Sequence, residues 1–184
     1  DLQVNPTALA GFRFKVDSAT LCLKEGTWLN IPNNAAVEEC GLEEIATQLD
    51  GGVSVWFAVK RPEAHRPLVH AMEETTRGIP RPYVLREHVI VDENSGENGR
   101  IIQSRLHNVQ ISFCAHPGDQ FEAIKVGELV WSSAKQPVFN PAYIPPLLNL
   151  AASPYLRDRV KNLLVKIRNQ AAFLQGEMVS KRIS

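Results

Sequence analysis

The residues able to do chemistry in this chain are scattered. Glu38, Glu39, Glu43 and Glu44 form a carboxylate-rich stretch, and paired carboxylates can serve as general acid and base. No partner residues accompany them, so the stretch reads as a solvated face. His65 and His70 lie five apart, a spacing that shares one face of neither helix nor strand, and no cysteine or carboxylate completes a zinc set. Asp92 and Asn94 open like a calcium loop, but the glycine is displaced by one position and Gln103 stands where a bidentate Glu is needed. Asx and Gly residues at this point make a hairpin turn for conformational reasons alone. Ser132-Ser133 and Asp17-Ser18 have no evident base, while His107 and His116, at the two ends of a strand, read as surface residues. GxSxG, HExxH, a glycine-rich phosphate loop and a basic stripe interleaved with aromatics are all missing from the sequence. The expectation is a protein without catalytic residues, cofactor or metal.

Charge and composition narrow the partners. Twenty basic and twenty acidic residues among 184 cancel, so no overall field draws the chain to nucleic acid or anionic lipid. No apolar run approaches the ~20 residues of a membrane span, which argues against direct membrane insertion. Cys22, Cys40 and Cys114 form neither closed pairs nor a CxxC spacing, the pattern of free thiols in a reducing, cytoplasmic compartment. The chain lacks an initiator Met, and its last pattern runs almost to Ser184. Both ends read as cuts in a longer protein.

Most of the chain reads as strands. Phe12, Phe14 and Val16 alternate with Arg13 and Lys15, a half-buried strand expected to end at Asp17 and Ser18. Leu21 and Leu23 belong to a second strand, Glu25-Gly26 to a turn, and Trp28 to Ile31 to a third strand stopped by Pro32. Between Asn33 and Asp50, Val37, Leu42, Ile45 and Leu49 recur near helical spacing, which predicts a helical insertion capped by Asn33 or Asn34. VSVWFAV after Gly51-Gly52 predicts a central strand, and Arg61 to Pro82 a long loop. Tyr83 to Ile90 is a further strand, and Ile101 and Ile102 begin the return. Val109, Ile111 and Phe113 alternate in the next strand. Phe121 to Trp131 follows, with Gly127 as a bulge, then Val138 and Phe139. Strands 8 to 12 residues apart with turn signals between them predict an antiparallel β-sandwich or barrel over 1–139.

A proline-rich connector, 140–152, then leads to the chain's one long helix, 153–184. Ser153 suits the N-cap and Pro154 the first helical position. Val160, Leu164, Ile167, Ala171, Leu174 and Met178 follow at intervals of four, three, four, three and four, a heptad seam. Leu156 and Leu163 widen it, while Lys161, Lys166, Arg168 and Asn169 lie mostly opposite. One helix cannot bury such a seam alone. A helix of this length, roughly 40 Å at about 1.5 Å per residue, is expected to pack against copies of itself as well as against its own domain; the alternative is an amphipathic helix lying on its own sheet.

Three phrases carry a family resemblance. PVFNPAYIPPLLNLAASPYLRDRVKNLL is similar to a stretch of the TssK family, also called ImpJ or VasE, of type VI secretion baseplate proteins. That family shows D-P-x-[FY]-I-P-P-x-L-x-x-x-A-S before its central helices. Pro137, Asn140-Pro141, Tyr143-Ile144-Pro145-Pro146, Leu148 and Ala152-Ser153 match, with Asn140 in place of the usual Asp. YVLREHVIVDENSGENG resembles the family's hairpin, and EGTWLNIP stands where its opening meander has D-G-T-x-[FL]-x-[IL]-P. A W-x-E-G-x-x-L-x-P-Q-H-F phrase that precedes these in the family is missing before Asp1.

The resemblance implies a β-sandwich shell domain, akin to the shoulder of siphophage receptor-binding proteins, followed by a coiled-coil helix. It implies a homotrimer joined along Val160, Leu164, Ile167, Ala171, Leu174 and Met178. It further implies docking on the TssF and TssG wedge proteins, and contact with the TssJ, TssL and TssM membrane complex through a C-terminal domain outside this sequence. The expected place is the cytoplasmic face of the bacterial inner membrane. The alternative implied by the same fold is the shoulder of a phage-like tail receptor-binding protein. Residues 33–50 and 61–82 follow no family pattern.

Overall fold

The alternating apolar residues are realised as a mainly β fold that a helix follows. The computed structural model describes residues 1–70, 80–91, 94, 96–149 and 153–182. Two compact units divide the chain, Asp1–Asn140 and Pro141–Ser184.

The first unit opens with β1 (Leu2–Val4) and a one-turn helix α1 (Pro6–Ala10). Asn5 caps α1, its Oδ1 accepting the Ala8 N–H at 2.9 Å, and Pro6 fills the first helical position, where a missing donor costs nothing. Then come β2 (Arg13–Phe14), β3 (Val16–Cys22), β4 (Trp28–Ile31), β5 (Ala35–Val37) and β6 (Cys40–Gly41). A 3-10 segment, Glu43–Gly51, precedes β7 (Val53–Lys60) and β8 (Val69–His70). The unit closes with β9 (Tyr83–Ile90), β10 (Arg100–Ser112), β11 (Phe121–Trp131) and β12 (Pro137–Phe139). Three sheets result among the described residues. One runs β1-β3-β4, one β12-β11-β7-β10-β9-β8 with β5 also on β10, and one is the β2-β6 pair.

The near-continuous apolar run of β7 lies between β10 and β11, as a central strand should. Phe14, Leu29, Leu42, Leu49, Val55, Phe57 and Leu129 are fully buried in one cluster, so the small sheets, the 3-10 segment and the large sheet share a single core. Phe14 carries its centre, with ring centroids 5.8 Å from Phe113 and 5.9 Å from Phe139. A buried carboxylate ties a turn of the small sheet to the large one. Glu122 on β11 accepts the Glu25 N–H at 2.7 Å and the Thr27 hydroxyl at 2.6 Å, both in the β3–β4 turn. The expected bulge is present, since the β11–β7 register shifts between Lys125 and Gly127. A Cβ on Gly127 would lie 2.0 Å from Cε1 of Phe139, so glycine is what lets that ring cover the strand.

Three sequence expectations are corrected. The strand expected to end at Asp17 and Ser18 breaks at Lys15 instead, and β3 runs through both residues because β1 pairs with it on that side. Residues 33–50 are not one helix. Ala35–Val37 pairs in parallel with His107–Val109, and Cys40–Gly41 pairs with Arg13–Phe14, so strand partners from elsewhere in the chain override the helical spacing. Leu42, Ile45 and Leu49 still bury, on the 3-10 segment. Asn34 caps no helix; its Oδ1 accepts the Asn30 N–H and its Nδ2 donates to the Trp28 carbonyl. The return from the hairpin and the following strand are one strand, β10, of 13 residues.

In the second unit, residues 141–149 carry neither helix nor strand, and α2 runs from Pro154 to Arg182, 29 residues. Ser153 accepts the Leu156 N–H on its hydroxyl at 3.3 Å and the Arg157 N–H on its carbonyl at 3.0 Å, which starts the helix where the sequence predicted.

Candidate interaction surfaces

The side chains singled out for chemistry do not converge. Glu38, Glu39, Glu43 and Glu44 are all exposed, and Glu39 pairs with Arg13 at 2.6 Å. His65 is exposed, and the side chain of His70 lies outside the described residues. Of the calcium-like turn, Asp92 also lies outside them, while Gln103 donates to Glu87 across the hairpin at 3.0 Å. Among the described residues no three of His, Cys, Asp and Glu gather as metal ligands would. The cysteines are free thiols. Burial, with the Glu39 carboxylate beside it, pushes the Cys40 thiol up to about 11, so at neutral pH it is not a nucleophile. Ser112 and Cys114 touch at 3.0 Å with no base between them.

His107 departs from its reading as a surface residue. It sits within β10, its ring centroid 5.1 Å from that of Tyr83, and its Nδ1 is buried without a hydrogen-bond partner among the described residues. Desolvation and the neighbouring Arg105 lower its pKa, against a weaker opposing pull from Glu122. The guanidinium of Arg105 lies 4.1 Å from the Tyr83 ring centroid. These groups form a packed base for the β9–β10 hairpin. His116 is exposed, as expected, and accepts the Gly118 N–H.

What the molecule offers instead is apolar surface. On α2 the residues of the predicted seam stand open: Val160, Leu164, Ile167, Leu174 and Met178 are 42 to 67% exposed, and Ala171 is exposed as well. Val165 and Phe173 are also exposed and lie off the seam, a pair the heptad reading passed over. Among the described residues of the first unit the exposed large apolar ones are Trp28, Leu68 and a group on the β9–β10 hairpin: Val89, Ile90, Val91, Ile101 and Ile102. Trp131 is half-buried and packs edge-on against Phe12 at 5.8 Å, beside the core cluster. The hairpin group was legible only as strand-forming residues, because nothing in a β-branched run tells an arm from a sheet.

The exit of the first unit is fixed by polar contacts. Asn140 donates its N–H to the Glu128 carbonyl at 2.7 Å and its Nδ2 to Glu128 Oε1 at 3.0 Å, and Lys125 reaches the other carboxylate oxygen at 3.3 Å. The Asn140 amide first, and Lys125 after it, hold the Glu128 carboxyl below the usual range against the opposing cost of burial. The position where the resemblance departs from Asp to Asn is thus a hydrogen-bond donor to a carboxylate, a role Asp could not fill in its ionised form.

A family model described as "Bacterial Type VI secretion, VC_A0110, EvfL, ImpJ, VasE" matches residues 1–184. The chain belongs to the ImpJ/VasE family of type VI secretion proteins. Among curated proteins no relative matches. The chain is similar to a chain in a cryo-electron microscopy structure of a type VI secretion system TssK-TssF-TssG baseplate subcomplex, at 19% identity and TM-score 0.79, covering 95% of this chain and 57% of that one. A baseplate complex from the type VI secretion system matches at 22% identity and TM-score 0.78, with 95% and 55% covered. TssK from the EAEC system bound to nanobody nb18 matches at 19% identity and TM-score 0.71, again with 95% and 55% covered. The ImpJ/VasE chain therefore has the TssK-like fold and spans a little over half the length of those chains. No helix among the described residues is long and apolar enough to cross a membrane.

Proposed function

We propose that the chain is a structural baseplate subunit of a bacterial type VI secretion system, an adaptor that links the wedge proteins to the membrane complex and has no enzymatic role. One observation carries this reading: the family match over the whole chain joined to the TssK-like fold, found in structures that include a TssK-TssF-TssG subcomplex. In this reading the β1-β3-β4 sheet and the large sheet face one another as a β-sandwich shell. TssF and TssG are its docking partners. Contact with TssL and TssM falls to a C-terminal domain outside residues 1–184, at the cytoplasmic face of the inner membrane. The scattered candidate side chains support a structural role.

The open seam of α2 supports a homotrimeric coiled coil through Val160, Leu164, Ile167, Ala171, Leu174 and Met178. An isolated helix with this much apolar surface in water gains by covering it, at roughly 25 cal/mol per Å² buried. The test is the molar mass of the chain by light scattering across a range of concentrations, together with a pull-down of TssF–TssG by the full-length protein. A mass that rises to three copies, and retention of the wedge pair, are the expected results. A strict monomer at all concentrations overturns the coiled coil, and a correctly folded trimer that fails to hold TssF–TssG overturns the adaptor role.

A further inference from the structure

The sheet β1-β3-β4 ends at β4, which among the described residues pairs with β3 alone. Leu23 donates its N–H to the Thr27 carbonyl at 2.9 Å, and the direction of backbone bonding alternates along an antiparallel strand. Leu29 and Ile31 therefore turn their backbone groups towards β3, while Trp28 and Asn30 turn theirs outward. Such an edge offers its N–H and C=O groups to any further strand.

Asn34 occupies that edge. Its Oδ1 accepts the Asn30 N–H at 2.6 Å, its Nδ2 donates to the Trp28 carbonyl at 2.9 Å, and its own backbone N–H donates to the Asn30 carbonyl at 2.9 Å. One residue thus takes three of the four outward backbone groups of Trp28 and Asn30. A side-chain amide carries the same acceptor and donor as a peptide group, so the Asn34 side chain stands in for a residue of a neighbouring strand. The turn that carries it is tied to the large sheet. His107 on β10 donates its N–H to the Asn34 carbonyl at 2.9 Å, and Arg86 on β9 donates to the Pro32 carbonyl at 3.0 Å.

We propose that the Asn34 amide is an autoinhibitory contact that keeps β4 from pairing with β4 of a second copy. The excluded occupant follows from the groups that are covered. Two β4 strands related by a two-fold axis at Leu29 bring Trp28 opposite Asn30 of the partner subunit, a self-complementary pairing of one patch with itself. The Trp28 carbonyl then accepts the N–H of the partner's Asn30, and the Asn30 N–H donates to the carbonyl of the partner's Trp28. These are the two groups that the Asn34 side chain holds within its own chain. Pairing between copies therefore requires the amide to leave.

The experiment follows the molar mass of the full-length protein by light scattering over a range of concentrations, unsubstituted, as Asn34→Ala, and as Asn34→Ala with Asn30→Pro. Circular dichroism monitors the fold, and hydrogen exchange reads the Asn30 amide. Asn34→Ala is expected to reach about twice the mass of the unsubstituted protein at the same concentration. Its Asn30 amide should exchange faster than in the unsubstituted protein when dilute, and slow again as the mass rises. Adding Asn30→Pro removes the N–H that pairing needs, and the mass should return to that of the unsubstituted protein. A folded Asn34→Ala whose mass equals that of the unsubstituted protein at every concentration overturns the proposal. Association that persists with Asn30→Pro overturns the choice of edge. Should Asn34→Ala fail to fold, Asn34→Ser keeps a turn-forming residue but is too short to bridge both groups, and the same outcomes decide.

Discussion

The two units of the chain treat apolar residues in opposite ways. In Asp1–Asn140, Phe14 and Phe57 are 0% exposed, and in α2 Phe173 is 61% exposed with Val165 and the seam residues open around it. Both units carry enough apolar side chains to drive burial, but the strands of the first come from many places in the sequence and can close around one another. A helix presents its stripe in one direction and has no second wall of its own. A unit that closes on itself keeps its apolar residues inside, and one that cannot leaves them exposed. The β9–β10 arm belongs with the helix in this respect, although it grows out of the closed unit.

Substitutions that break or sharpen the contrast rank by their effect on the folding of the first unit. Phe14→Ala should be the most damaging, at about 3–5 kcal/mol in denaturant unfolding, because its ring is wholly buried against Phe113 and Phe139. A loss below ~1 kcal/mol, less than Ile→Val truncation often costs, would mean that the core is not packed around this ring. Glu122→Ala should follow, at about 1–3 kcal/mol, since it leaves the Glu25 N–H and the Thr27 hydroxyl without their acceptor. Restoring part of that stability by adding Thr27→Val to the alanine variant would confirm that the unmet donor is the cause.

Acid should act more weakly, through Glu128. Its folded pKa lies below the ordinary value, so the stability it contributes is present above that ordinary value, about 4.3, and is lost as pH falls through the folded pKa. In Asn140→Ala the Glu128 carboxyl should titrate higher, read by NMR of the side-chain carboxyl, and the acid-induced loss should shrink. An unchanged titration would show that Asn140 is not what depresses it. Least of all should the first unit feel Leu164→Asp with Ile167→Asp, within about ±0.5 kcal/mol for surface positions. The same pair is expected to abolish any rise in molar mass with concentration, and a variant that still formed trimers would place the self-association on another face of α2.

The sequence was most legible where one local signal sufficed. VSVWFAV became β7, Gly127 became the bulge, and Ser153-Pro154 started α2. It was least legible at 33–50, where Val37, Leu42, Ile45 and Leu49 kept helical spacing while Ala35–Val37 and Cys40–Gly41 found strand partners at His107–Val109 and Arg13–Phe14. The seam on α2 was read from spacing alone, and the arm was not seen as a surface at all.

Spacing and residue type by themselves therefore determined β7, the Gly127 bulge and the start of the helix, because each depends on backbone preference over a few residues. Tertiary structure alone decided that His107 sits with its Nδ1 buried beside Tyr83, that Glu122 ties the β3–β4 turn to the large sheet, and that Val89, Ile90, Ile101 and Ile102 stay in water. Burial is a property of what the rest of the chain brings alongside a residue, and residues as far apart in sequence as Phe14 and Phe139 do that here.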